Sequence, residues 1–398
     1  MAVPAPNTDV ISLAEIVANP YAAYKHFRLL GPIVHLPHLN RFMAVSYNAA
    51  KTIKTNDAVF LSDDRAFTHA PIPMLRAMQG HPLIRKDGEE HARERAAMAP
   101  SFGARALRDS WTGSFQKIAD ECIAALPAGE AIDLMETLTA PFAAKCLREI
   151  LGLRNARASD LIRWSQDLID ATGNVTHDEA IYMHSDRTNH EIDAAIEGMI
   201  PVLRAEPDLS ALSVLVNSDD PIEDTQIRAN IKLAISGGLN EPRDAVLTLL
   251  FCLLTNPEQM EAVRADHSLL PAALEEALRW CAPIQITSRV AVDDTEVENA
   301  AIPAGSFIWV SSGSAGHDED IWDDPDQFNL FRPKHAHQSF GGGPHFCQGT
   351  HIARMMIAKI LMPRLLERFK DISLPQPGRV TFEGFIFRGP ASLPVILN

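Results

Sequence analysis

No two of the five cysteines (Cys122, Cys146, Cys252, Cys281 and Cys347) form a CxxC pair. An odd number scattered this widely supplies neither a disulfide frame nor a zinc site. No run of lysine or arginine interrupts a formal charge of -15, so the chain lacks the basic face that a phosphate backbone needs, and nucleic acid is not an expected partner. No apolar stretch is long enough to cross a bilayer. The first twenty residues contain Pro4, Pro6, Asp9, Glu15 and Pro20 and hold no signal-peptide core, so the expected location is cytoplasmic, with no membrane contact. Repeats, low-complexity tracts and long linkers are missing as well, which makes residues 1–398 a single unit with internal lobes on this reading.

What is present is apolar: 46% of the residues are hydrophobic, enough for a large core. Two β-rich runs, Pro32 to Leu36 and Arg41 to Val45, suggest a small antiparallel pair. Helical spacing of apolar residues then dominates through 105–126, 142–151, 159–169, 191–204, 227–254 and 257–280. β-like segments return near 286–292, 306–310 and 380–395. The expected class is mainly α with a minor β region, the β-rich lobe drawn from about 30–50, 284–310 and 380–395. From Asp224 to Thr255 the helical spacing is continuous, roughly 45 Å if unbroken. Gly237, Gly238 and Pro242 fall near its middle. Proline there has no N–H for the Gly238 carbonyl and pushes it away, so a widening or kink at mid-length is expected.

Four cysteines lie in apolar surroundings and read as buried small hydrophobes. Cys347 differs. It follows Phe340-Gly341-Gly342-Gly343-Pro344-His345-Phe346 and precedes Gln348-Gly349 and a helix beginning near Thr350. Glycines let backbone N–H groups turn toward one point, and a sulfur held among them at a helix N-terminus is favoured as thiolate, the form that binds a metal. A lone sheltered thiolate suits haem better than zinc. Taken by itself, the glycine stretch also fits a tight connecting loop with a buried cysteine behind it.

The full string decides between these. Phe340, Gly343, His345, Cys347 and Gly349 complete the pattern Phe-x-x-Gly-x-basic-x-Cys-x-Gly, through which the chain resembles the cytochrome P450 family. The resemblance implies a single-domain fold with a long central helix over the cofactor. It implies haem b as that cofactor, Cys347 as its axial ligand, and monooxygenase chemistry. Further matches extend it over roughly 88–354. Glu276 and Arg279 stand three apart, on one helix face. As an isolated pair they would pass for a solvated surface ion pair; the resemblance implies a buried pair joined by Arg332, locking the chain that leads to the cysteine loop. It also implies that His91, Arg95, Arg289 and His345 hold the two haem carboxylates, with arginine suited to bidentate contact.

One stretch departs from the family. Its central helix usually carries an acid followed by an alcohol, beside small residues, to pass protons to iron-bound oxygen. Here Gly237-Gly238-Leu239-Asn240-Glu241-Pro242 puts Asn240 at the acid position and Glu241 at the alcohol position. A buried carboxylate is costly without a task. The catalytic set expected is therefore Glu241, Asn240 and Gly238, with Glu241 raised in pKa by desolvation as proton donor and Asn240 orienting it or a water. Simple drift in a helix that only lines the pocket is the plain alternative. A carboxyl group there also opens a hydrogen-peroxide-driven route, as in a peroxygenase.

Residues aligned with the family's pocket are Phe67, Leu168, Gly237, Ile284, Ile286, Thr287 and Phe385, mainly apolar with one hydroxyl. They fit a small apolar or aromatic substrate with one polar substituent. O-demethylation of a methoxylated phenol is the specific expectation. Partners implied are dioxygen or hydrogen peroxide and a separate ferredoxin or flavin-type reductase. A haem carrier or sensor without turnover would share the cysteine loop and remains the competing class.

Overall fold

In the computed structural model, residues 3–8, 12–68 and 71–398 are described. Helices make up 57% of the described residues and the strands gather in small sheets, so the mainly-α class holds. The chain divides into two compact units: the first comprises 1–69, 248–347 and 381–391, and the second 70–247, 348–380 and 392–398.

The first unit is built on a five-stranded sheet in the order Ile33–Leu36, Arg41–Ala44, Phe307–Ser311, Ile286–Ala291 and Phe60–Leu61. The hairpin read from sequence is present, with Ile33 opposite Ala44 and Leu36 opposite Arg41. Its connection ends on Asn40 in the left-handed region, φ 48°, which asparagine tolerates better than most residues. Arg41–Ala44 runs parallel to Phe307–Ser311, and Ile286–Ala291 runs antiparallel to it with Thr287 opposite Val310 and Arg289 opposite Ile308. Side chains alternate along a strand. Thr287 and Arg289 therefore share one face with Val310 and Ile308, and the helix Tyr47–Thr55 covers that face through Tyr47, Ala50 and Ile53. Ile286 points the other way, into a core with Tyr24, Phe27, Val34, Met43 and Trp309.

Helices dominate the second unit. Their shared core holds Leu147, Leu151, Trp164, Leu168, Ile192, Ile196, Ile231, Ile235 and Leu239. The central helix runs as one α-helix from Asp224 to Thr255 with Pro242 inside it, as the continuous spacing predicts. Gly238 packs closely: a Cβ there would stand 2.8 Å from Leu147 Cδ1, so any larger residue would make that side chain shift. The helical stretch expected over 257–280 is two helices, Pro257–Ala265 and Leu270–Trp280. Asp266 caps the short 3-10 turn between them, and Pro271 starts the second. After the cysteine loop the helix Thr350–Arg354 widens into a π-helical segment, Met355–Leu361, before Met362–Arg368, where Pro363 sits in the first turn. The last strand, Pro394–Leu397, joins the second unit by pairing with Ala131–Asp133, so the expected β-rich lobe is cut at its C-terminal edge. Among the described residues no helix is long and apolar enough to cross a membrane.

Candidate active site

In the first unit the cysteine loop is set by backbone geometry that only part of the sequence could supply. Gly341 and Gly343 adopt φ +75° and +60°, where side chains are rarely found. Gly343 is also pressed against the Lys54 carbonyl, 2.6 Å from where its Cβ would be, so glycine is required there twice over. A 3-10 turn, Gly343–His345, follows. The Cys347 amide then donates to the Phe340 carbonyl at 2.9 Å, closing the loop across the two ends of the motif. The four other cysteines are buried, whereas Cys347 is exposed. Gly349 begins the following helix, its carbonyl accepting from the Ala353 amide at 2.9 Å.

The chain leading into this loop is anchored by buried ions. Arg279 makes a bidentate pair with Glu276, both contacts 2.8 Å, and Arg332 Nε reaches the same carboxylate at 3.1 Å. Glu276 is 7% exposed and Arg279 2%. Glu276 also accepts from the Asn329 amide, and Arg279 donates to the carbonyls of Gly316, Pro325 and Gln327. Every strong donor and acceptor of the set is used, which is the condition under which a buried ion pair is tolerable. Closer to the cysteine, Ser339 Oγ donates to the Leu278 carbonyl at 2.6 Å, and Gln338 Nε2 to the Tyr47 carbonyl at 2.7 Å. Two basic residues expected to hold carboxylates, Arg289 and His345, are buried in this unit.

In the second unit His91 and Arg95 lie one turn apart on the helix Gly88–Phe102, His91 buried and Arg95 half-buried. The Arg95 carbonyl accepts from Gln348 Nε2 at 2.9 Å. On the central helix, Gly237 is exposed and its missing Cβ leaves space bounded only by Glu241 Oε1 at 3.9 Å. Both Glu241 carboxylate oxygens are buried without a hydrogen-bond partner, although the residue as a whole is half-buried. Burial pushes Glu241 up to about 8, with Asp244 adding to the rise and the Glu241 backbone amide and Arg243 opposing it. Asn240 is buried and its Oδ1 is likewise without a partner. Asp244, paired with Arg243 at 2.6 Å, is itself raised by burial.

The family model described as Cytochrome P450 matches residues 24–385. The chain belongs to the cytochrome P450 family. It is an oxidoreductase of the monooxygenase type with haem b as cofactor, and the family works with dioxygen and redox partners such as ferredoxin. Cytochrome P450 107B1 of Saccharopolyspora erythraea is 29% identical over 323 residues, 79% of this chain and 77% of that protein. Steroid C26-monooxygenase of Mycolicibacterium smegmatis is 29% identical over 320 residues, 79% of each. The solved structure of P450BioI in complex with a fatty-acyl-ligated acyl carrier protein superposes with a TM-score of 0.87, covering 97% of this chain and 100% of that one; at 22% identity it speaks for the fold alone.

The residues fit haem. Within the first unit, Cys347 is exposed while the other cysteines of the chain are buried, and two buried basic side chains, Arg289 and His345, are of the type that suits carboxylates. The expected substrate walls divide. Ile284, bridged to Phe387 of a neighbouring segment, is half-buried, and the buried Thr287 Oγ1 has no partner. Phe67 is half-buried in a turn, its amide donating to Asp64. Leu168 is wholly buried in the helical core. Ile286 packs into the core beneath the sheet, and Phe385 stacks edge-on against Trp309 at 5.3 Å. Adjacent on one strand, Ile286 and Thr287 face opposite sides of the sheet, and core packing accounts for Ile286.

Proposed function

We propose that this enzyme monooxygenates a small apolar or aromatic substrate and that Glu241 delivers the proton consumed in oxygen activation. The observation that carries the proposal is a buried carboxyl with both oxygens unpartnered at mid-length of the central helix. A carboxyl group raised to about 8 is protonated at neutral pH, the state of a proton donor, and it reprotonates readily because that value lies near working pH. Asn240, unpartnered at Oδ1 and adjacent in sequence, would orient the carboxyl or a bridging water.

Bound haem supplies the oxidising chemistry: with two electrons and two protons, one atom of dioxygen enters a C–H bond and the other leaves as water. By resemblance to the family, Cys347 would provide the sulfur ligand, and Arg289, His345, His91 and Arg95 would neutralise the haem carboxylates. Thr287 offers its hydroxyl to the polar substituent of the substrate, and the missing side chain at Gly237 leaves room for a ring. The Gly-Gly-Leu-Asn-Glu-Pro stretch resembles the part of the family that removes methyl groups from methoxylated aromatics, and this resemblance supports O-demethylation of a methoxylated phenol. Oxygen insertion at the methyl carbon gives an aryl hemiacetal, whose C–O bond breaks to release the phenol and formaldehyde.

The same protonated carboxyl favours a second reading. Glu241 can carry a proton from one oxygen of hydrogen peroxide to the other, replacing both dioxygen and the reductase. Product formation with peroxide alone, set against a ferredoxin-type electron donor with dioxygen, separates the two. Under either reading Glu241→Gln lowers product formation and leaves the spectral response to substrate intact. Wild-type turnover in that variant under both regimes contradicts the role assigned to Glu241.

A further inference from the structure

Lys54 lies in the last turn of the helix Tyr47–Thr55 and is 3% exposed. Its ammonium donates to Ser312 Oγ at 2.7 Å. An ammonium carries three donors, so most of its hydrogen-bonding capacity is unused by that contact. Among the described residues the charged group that acts on it is another cation, Arg289; burial first and then that guanidinium pull Lys54 down to about 7. A buried lysine beside a buried arginine is an expensive arrangement, and a methionine of similar length would be cheaper.

The position of Lys54 explains what could offset the cost. Its helix packs on the sheet face that carries Arg289, through the cluster of Tyr47, Ala50, Ile53, Ile308 and Val310. Its backbone lies against Gly343, which opens the turn ending at His345. Three basic residues of the first unit thus stand on neighbouring pieces of backbone, two of them already expected to bind haem carboxylates. An anion brought by the cofactor would satisfy the third.

We propose that Lys54 is a further partner of a haem propionate, acting with Arg289 and His345. The proposal rests on the haem reading and adds a residue to it. The helix is short and its sequence, Lys51-Thr52-Ile53-Lys54-Thr55, carries no motif, so nothing but burial and neighbours distinguishes this lysine from Lys51, which is exposed.

The test uses the holoenzyme, following transfer of haem to excess apoglobin and measuring the ferric/ferrous midpoint potential. Lys54→Met releases haem roughly tenfold faster than wild type, the loss expected for one hydrogen bond to a charged group, and its potential falls because a neutralising cation has gone. Lys54→Arg stays close to wild type in both. If Lys54 merely bridges to Ser312, Lys54→Met leaves release rate and potential unchanged, and the proposal is overturned. Should the methionine variant fail to fold, Lys54→Gln keeps a donor for Ser312 while removing the charge, and gives the same two readings. A wild-type protein that takes up no haem overturns the haem reading and this proposal together; a loaded wild type with an unaffected neutral variant overturns this one alone.

Discussion

Glu276 and Glu241 are both glutamates inserted into a protein interior, and their surroundings are opposite. Glu276 accepts from two arginines and a backbone amide. Glu241 has no partner on either oxygen. The first is a fully satisfied ion cluster in the first unit, bonded to carbonyls on the segment that leads to the cysteine loop. The second carries a standing cost in the second unit. A satisfied buried carboxylate does structural work, whereas an unsatisfied one carries a cost that the role proposed for Glu241 would offset.

Breaking Glu276 should have the largest effect. Glu276→Gln leaves Arg279 and Arg332 without their counter-charge, at ~3–5 kcal/mol, and thermal unfolding together with the haem absorbance of purified protein should both fall. Glu241→Gln should divide the properties the other way. Turnover should drop by about 100-fold or more, the usual contribution of a positioned acid, while stability rises.

The pH dependence sharpens the contrast. Glu241 is raised in the folded state to about 8, against about 4.3 in an unfolded chain. Below the unfolded value both states are protonated and Glu241 costs nothing through ionisation. As pH rises between the two values the unfolded state ionises and the folded state does not, so stability is lost progressively, and the loss is complete above the folded value. The stability gained by Glu241→Gln should therefore grow between about pH 5 and 8, on the order of a few kcal/mol, as read from urea unfolding at a series of pH values. A gain independent of pH would mean that the carboxyl ionises normally.

The smallest effect belongs to Thr287, whose hydroxyl oxygen is buried and unpartnered. Thr287→Val should leave stability nearly unchanged and weaken binding of a phenolic substrate by about 1 kcal/mol, one ordinary hydrogen bond, seen as a higher dissociation constant in a spectral titration. A larger loss for substrates lacking the polar substituent would assign Thr287 to packing.

The parts of the site legible in the sequence are those where spacing alone constrains geometry. Phe340 through Gly349 encodes a loop closed by its own backbone, and three-residue spacing puts Glu276 beside Arg279 on one helical face. The central helix was legible from periodicity, and it continues through Pro242 because one proline removes one hydrogen bond while packing through Ile235, Leu239 and Val246 holds the rest. At Ile286 the strand was legible, and its pleat turns this side chain into the core with Phe385 and Trp309. Long-range pairing, such as Pro394–Leu397 with Ala131–Asp133, leaves no local mark. Lys54 was invisible for the same reason. Its burial beside Arg289 is a property of separate segments of chain brought together by the first unit's sheet.

The most direct measurement is the absorption spectrum of the reduced, carbon-monoxide-bound protein, wild type beside Cys347→Ser. A Soret band shifted to the red in the wild type, as thiolate coordination produces, and lost in the variant is expected. A wild-type band without that shift, or one that survives replacement of Cys347, contradicts ligation by this sulfur.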